Sequence, residues 1–359
     1  MGTITALQIS DIHDKGDLSE LEALVSFANE TKPDVVVAAG DLSDGAVYQQ
    51  LFLQANKKII EAIDMPAEEK ELVKYQQMHE LVSKEGEEKV REHLQSVSGT
   101  AEEGEQMLEE FKKYLSNKEN IAKAINKFQE ELGKNKETIA AENKKVFDTI
   151  KQHLTGMNTK LGEIKSKKVG VRGNHDSDYV YKMNNLHWLE KDGPAEINGI
   201  TFAGAPNTYE AIAGMPQQFY SKLEDDVPIQ DINEFIKQFG TNEDLEEFKQ
   251  NNPVYQRLEK QLQGKSTDFL VTHKGIGEFS QGFGYGAGLA LWVKDKIIQE
   301  NKSPIILSGH IHGDELYSAE EGYQGLRSSN QKAYIMYIDS ETKKIKQIDV
   351  YKKVYETIT

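Results

Sequence analysis

Five of the nine histidines, His13, His175, His273, His310 and His312, stand beside Asp, Asn or Gly directly after apolar, β-type runs. Together with several carboxylates they form five short motifs: Asp11-x-His13, Gly40-Asp41-x-x-Asp44, Gly173-Asn174-His175-Asp176, Thr272-His273 and Gly309-His310-Ile311-His312. Imidazole nitrogens mixed with carboxylate and amide oxygens suit manganese, iron or zinc, and a shared carboxylate holds two such ions about 3.5–4 Å apart. The chain has no cysteine, which excludes disulfides, thiolate nucleophiles and sulfur-ligated metals. Each motif alone is common by chance; five of them in order, each after its own strand, are not. The other four histidines read as structural, with His79, His93 and His153 solvated in a charged helical tract and His187 packed locally beside Trp188.

The elements that must position these groups follow from the apolar pattern. Thr3–Ile9 reads as a strand, Leu18–Glu30 as a helix with Leu21, Leu24, Val25 and Phe27 on one side, and Asp34–Ala39 as a second strand. Strand, helix, strand makes a βαβ unit with parallel, buried strands, and ligands of open α/β sheets gather at the carboxyl ends of such strands. Lys168–Val171, Ile200–Gly204, Asp268–Thr272 and Pro304–Ser308 continue the sheet-like sequence, and Ala333–Asp339 with Ile345–Tyr351 read as a terminal antiparallel hairpin.

Two tracts interrupt this order. Residues 46–165 are rich in Glu, Lys, Gln and Asn, and Ile121, Ile125, Phe128, Leu132, Ile139, Val146, Ile150, Leu154, Met157 and Leu161 recur near a heptad seam, with polar Asn135 and Glu142 falling on it. A long helical hairpin or coiled-coil arm is expected, the alternative being a packed helical subdomain. A shorter helical excursion occupies 207–264. The domain reading is a core of 1–45 and 166–359, an inserted arm of 46–165, and the 207–264 excursion within the core. With 43 basic and 59 acidic side chains the net charge is −16, so a nucleic-acid footprint is disfavoured. Lacking a membrane span and a signal-peptide pattern, the chain is expected to be soluble and cytoplasmic.

The ordered motif set D-x-H, G-D-x-x-D, G-N-H-D, H and G-H-x-H resembles that of the calcineurin-like metallophosphoesterases, over Met1 to about Asp44 and from Lys168 onward. The resemblance implies an α/β fold of two packed mixed sheets flanked by helices, with two divalent ions at the strand ends. Asp11, His13, Asp41 and His312 would hold one ion, Asp41 would bridge, and Asn174, His273 and His310 would complete the other. Manganese is the first choice, with iron or zinc as alternatives. His175 would be the general acid. Asp44 either orients His175 or caps the helix that follows it.

The expected activity is hydrolysis of a phosphodiester or phosphomonoester by metal-activated hydroxide. Gly45-Ala46 and Asp176 stand where phosphoprotein phosphatases of this superfamily carry Arg-Gly and Glu. G-N-H-D and G-H-I-H look more like the prokaryotic phosphodiesterase branch, so a small, nucleotide-type substrate is favoured. The alternatives are a DNA or RNA nuclease of the superfamily and a non-catalytic scaffold that binds a partner through the arm. The glycines of 275–288, interleaved with Phe279, Phe283 and Tyr285, read either as a loop over the site that stacks on a base or as plain surface. The arm's apolar seam, if incompletely covered, would make it a homodimer contact or a lid.

Overall fold

The structure is a computed structural model that describes residues 2–90, 101–205, 228–229, 231–264, 267–273, 285–300, 304–309, 315–318, 324–327 and 332–352. In chain order the elements are β1 (Thr3–Ile9), α1 (Ser19–Thr31), β2 (Val35–Ala39), α2 (Gly45–Ala62), α3 (Ala67–Val73), α4 (Gln76–Glu85), α5 (Ala101–Lys134), α6 (Lys136–Glu163) and β3 (Lys167–Val171). There follow β4 (His187–Trp188), α7 (Leu189–Asp192), β5 (Ala195–Ile197), β6 (Ile200–Ala205), β7 (Pro228–Ile229), α8 (Ile232–Lys237), α9 (Asn242–Asn251) and α10 (Pro253–Leu262). The chain then runs through β8 (Phe269–Thr272), β9 (Tyr285–Gly286), α11 (Ala287–Glu300), β10 (Ile305–Ser308), β11 (Glu315–Ser318), β12 (Gln324–Arg327), β13 (Lys332–Asp339) and β14 (Ile345–Lys352).

Two mixed sheets form, in the orders β14-β13-β1-β2-β3-β4 and β11-β12-β10-β8-β6-β5. In the first, β1, β2 and β3 are parallel and end at one edge; in the second, β6, β8 and β10 do the same. The strands read as unbroken apolar runs because both faces are covered. Ala6, Val35, Val37, Val169 and Val171 of one sheet share a core with Phe202, Phe269, Val271, Ile305 and Leu307 of the other. The opposite face of the second sheet, including Leu270 and Ile306, packs on Val254 and Leu258 of α10 and Trp292 of α11. This is the expected α/β sandwich of two helix-flanked sheets. Gln8, fully buried, joins the sheets by donating from Nε2 to the Ser308 and Leu326 carbonyls at 3.1 and 3.0 Å.

The chain divides into two compact units, a core of Met1–Gln50 with Thr149–Thr359 and an arm of Leu51–Asp148. The boundaries lie inside 46–165, so the first turn of α2 and the last turns of α6 belong to the core. Helices α8, α9 and α10 occupy the described part of 207–264; residues 206–227 lie outside the described residues. Most of the 275–288 loop also lies outside them, and its end, Ala287–Gly288, opens α11.

Within the arm, the heptad segment does not turn back at Asn135. Asn135 N–H donates to the Glu131 carbonyl at 3.0 Å and Ile139 N–H to the Asn135 carbonyl at 3.0 Å, so helical bonding runs on from α5 into α6. The hairpin partner is the earlier helical leg. Tyr75 and Val82 pack with Phe111, Tyr114, Ile121 and Ile125, and Lys127–Glu69 and Lys118–Glu87 ion pairs lie at 2.6 and 2.8 Å. Phe52 of α2 meets Phe147 of α6 edge-on. The Ile121–Ile125 end of the seam is thus covered inside the arm.

Candidate metal centre

Two loops at the ends of β1 and β2 run side by side. Asp11 N–H donates to Gly40 O, His13 N–H to Asp41 O, Asp14 N–H to Leu42 O and Asp44 N–H to Asp14 O, at 3.0–3.1 Å. This ladder holds Asp11, His13 and Asp41 at φ of 51°, 49° and 52°, a region that costs a non-glycine residue on the order of 1–2 kcal/mol. Strain of that kind persists where the surroundings over-determine it, and it clusters at functional sites. Glycine is required where the loops close up. Gly40 has φ 88°, and a Cβ there would stand 2.8 Å from Gly173 Cα and 2.7 Å from His273 Cγ.

The structure brings Asp11, His13, Asp41, Asn174, His175 and His273 together at this edge, with Asp11, Asp41 and His273 buried. Asp41 Oδ2 faces His273 Nε2 at 3.2 Å and His13 Nε2 at 3.8 Å, while Asp41 Oδ1 accepts the His175 N–H at 2.8 Å. His13 Nε2 lies 3.9 Å from Asp11 Oδ1. His310 and His312 lie outside the described residues; Gly309, just before them, packs against Ser10 and Asp11, and its N–H donates to the His273 carbonyl at 2.9 Å.

The donor chemistry fits a bound cation. His273 Nδ1–H donates to the Ala39 carbonyl at 2.8 Å, so a neutral ring presents a lone pair on Nε2. That lone pair points at two further acceptors, Asn174 Oδ1 at 2.9 Å and Asp41 Oδ2 at 3.2 Å. Three acceptors converging on one point need a positive charge among them. Without a metal a proton supplies it: burial alone would depress His273, but the Asp41 carboxylate overrides this and pushes it up to about 9. Burial opposes ionisation of Asp41 too, yet the facing histidines hold its carboxyl well below the usual range. Burial lowers His13, leaving a neutral ring able to ligate, and raises Asp11.

His175 stands beside this cluster, its ring edge-on to His13 with centroids 4.6 Å apart. Burial pulls its pKa down, and the carboxylates around it, Asp44 at 3.6 Å with Asp41 and Asp176, more than restore it. The same Asp44 Oδ1 that lies 3.6 Å from His175 Nδ1 accepts the Ala46 N–H at 2.9 Å, capping the first turn of α2.

Residues to which the motif reading gave no role complete the surroundings. The buried Asp176 carboxylate accepts from Leu42 N–H, Ser43 N–H, Ser43 Oγ–H and Gly173 N–H at 2.9–3.2 Å, locking the loop of Asp41 to the loop of Asn174. Ser10 hydrogen-bonds Asp11. His153 is not solvated as expected: it is 9 % exposed and meets Asp14 Oδ1 through Nε2 and the Tyr48 hydroxyl through Nδ1, both at 2.7 Å. The available signal was its register, one heptad after Val146 on the apolar seam. His79 contacts the Tyr114 hydroxyl at 3.1 Å, His187 bonds the Gly193 carbonyl locally at 2.7 Å, and His93 lies outside the described residues.

A family model described as calcineurin-like phosphoesterase matches residues 4–73, the stretch that carries Asp11, His13, Asp41 and Asp44. No curated protein matches the sequence. Among solved structures, the chain is similar to a protein of Thermus thermophilus, with 12 % identity, TM-score 0.44, and 98 % of this chain and 99 % of that one covered. It is also similar to a dimetal phosphatase from Danio rerio, with 10 % identity, TM-score 0.36, and coverage of 97 % and 98 %. Over residues 4–73 the chain is thus similar to the calcineurin-like phosphoesterases. No helix among the described residues is long and apolar enough to cross a membrane.

Proposed function

We propose that the protein is a phosphodiesterase acting on a small, nucleotide-type substrate, with Asp11, His13, Asp41, Asn174, His273, His310 and His312 holding two manganese ions. The observation that carries this is Asp41, buried, with one oxygen turned toward His13 on one side and His273 on the other. That supports reading Asp41 as the ligand shared by the two ions. Divalent cations there polarise phosphoryl oxygens and lower the pKa of water. His175, whose charged form the neighbouring carboxylates favour, would donate a proton to the leaving oxygen. The strained loops, fixed by Asp176, hold these groups in place before substrate arrives.

A diester rather than a monoester is favoured by charge. A monoester dianion is commonly gripped by the bidentate fork of an arginine. Arg172, next to the Gly173 loop, instead sets its guanidinium over the Tyr181 ring at 5.6 Å. The test is manganese-dependent turnover of bis(p-nitrophenyl) phosphate against p-nitrophenyl phosphate, then of cyclic nucleotides, nucleotides and single-stranded DNA. Faster turnover of the diester and of a small nucleotide supports the reading. Preference for the monoester or for DNA overturns it, and no turnover with any metal leaves the scaffold as the better description.

A further inference from the structure

We propose that Asp14, His153 and Tyr48 are positioning residues for the metal centre, a buried hydrogen-bonded chain that sets the spacing of its ligand loops. The inference rests on the metal-centre reading above and extends it to residues outside the family's motif set.

Asp14 is fully buried and directly follows His13. Its backbone joins the two ladder loops, donating to Leu42 and accepting from Asp44. Its side chain does separate work: Oδ1 accepts from Gly16 N–H at 2.9 Å, from Leu18 N–H at 3.3 Å and from His153 Nε2–H at 2.7 Å. The first two bonds shape the chain between His13 and α1. The third ties that loop to α6, far away in sequence. With Nε2–H given to a carboxylate, a neutral His153 ring accepts the Tyr48 proton on Nδ1. Tyr48 is 1 % exposed and lies on α2, one turn beyond Asp44. The chain Asp14, His153, Tyr48 thus joins the loop of Asp11 and His13 to the helix that follows Asp41 and Asp44.

The arrangement is more than a filled core. An apolar side chain at position 153 would pack the same seam without the cost of a buried imidazole, which is repaid only when both ring nitrogens are paired. Here both are, and the partners are a residue adjacent to a candidate ligand and a residue one turn from Asp44. Groups that orient metal ligands from behind typically cost 10–100-fold in metal affinity or activity when removed. Tyr48 and His153 also sit just inside Gln50 and Thr149, where the chain leaves and re-enters the core. The arm's two roots are therefore joined to each other and to the ligand loop by these two bonds.

The test is manganese binding by calorimetry on the full chain, with thermal melting in parallel. His153→Gln retains a donor near the Nε2 position, whereas His153→Leu keeps volume and removes both bonds. His153→Leu is expected to weaken manganese binding about tenfold or more, and His153→Gln to stay within about threefold of wild type. Tyr48→Phe, which deletes one hydroxyl from a retained ring, is expected to weaken binding severalfold and decides the matter if His153→Leu does not fold. Melting temperatures that fall while manganese affinity stays at the wild-type value in His153→Leu and Tyr48→Phe would overturn the proposal. So would equal losses in the Gln and Leu variants. If wild type itself bound no manganese, the metal-centre reading would fail first, and visibly so.

Discussion

Gly173→Ala isolates the geometry on which the site depends. A Cβ at position 173 would stand 2.6 Å from the Asp41 carboxyl carbon and closer still to its Oδ1 and backbone nitrogen, whereas real Cβ contacts essentially never fall under 3.0 Å. Backbone and a buried carboxylate cannot swing aside, so the two loops must part by the order of 1 Å. Overpacking of this kind costs about 1–3 kcal/mol, and a displacement near 1 Å at a reacting centre costs roughly 10²-fold in rate. The expected result is a folded protein melting lower by roughly 2–4 °C per kcal/mol, with kcat/KM on bis(p-nitrophenyl) phosphate down about 10²-fold and weakened manganese binding. Gly133→Ala in α5, where an added Cβ meets nothing within 4 Å, is the control and should be neutral or stabilising by up to about 1 kcal/mol. Wild-type turnover and metal affinity in Gly173→Ala would refute the claim that this contact sets the position of Asp41.

His175→Ala should retain full metal content while turnover falls roughly 10²–10⁴-fold, less for p-nitrophenol than for alkoxide leaving groups; equal losses on both would contradict an acid role. Burial pushes Glu190 from 4.5 up to about 7, so between those values the folded chain holds a proton the unfolded chain has released. That stabilisation is complete below 4.5 and disappears as pH rises through about 7. Glu190→Gln should therefore show a flatter melting profile than wild type from about pH 5 to 8, and parallel profiles would count against the shift. Replacing Leu51–Asp148 by a short Gly/Ser linker should leave manganese stoichiometry unchanged, because every described candidate ligand and the Asp14–His153–Tyr48 chain lie in the core unit; loss of metal would show that the arm supports the centre directly.

The strands were legible because both sheets are buried on both faces, so runs such as Val35–Ala39 and Ile305–Ser308 announce themselves without alternation. Short edge elements such as β4 and β5 were not, since a two- or three-residue strand has no period to detect. Asp11, His13, Asp41, Asn174, His175 and His273 could be read because each follows a strand whose end the parallel topology brings to one edge. Asp176 was visible as part of a motif, but its work, accepting four hydrogen bonds from two loops, is a property of the folded backbone alone. His153 was misread because charged neighbours on its helix outweighed its seam position, and its partners Asp14 and Tyr48 lie more than a hundred residues away. For the heptad segment, spacing specifies an apolar face, and only the fold reveals that Tyr75 and Val82 cover its Ile121–Ile125 end.

The central claim is that Asp41 is shared between two metal sites. Elemental analysis and manganese titration of wild type and Asp41→Ala test it most directly. Two ions per chain in wild type, and neither bound tightly after the substitution with the fold retained, is the expected result. Two tightly bound ions in Asp41→Ala, or none in wild type at saturating manganese, would contradict it.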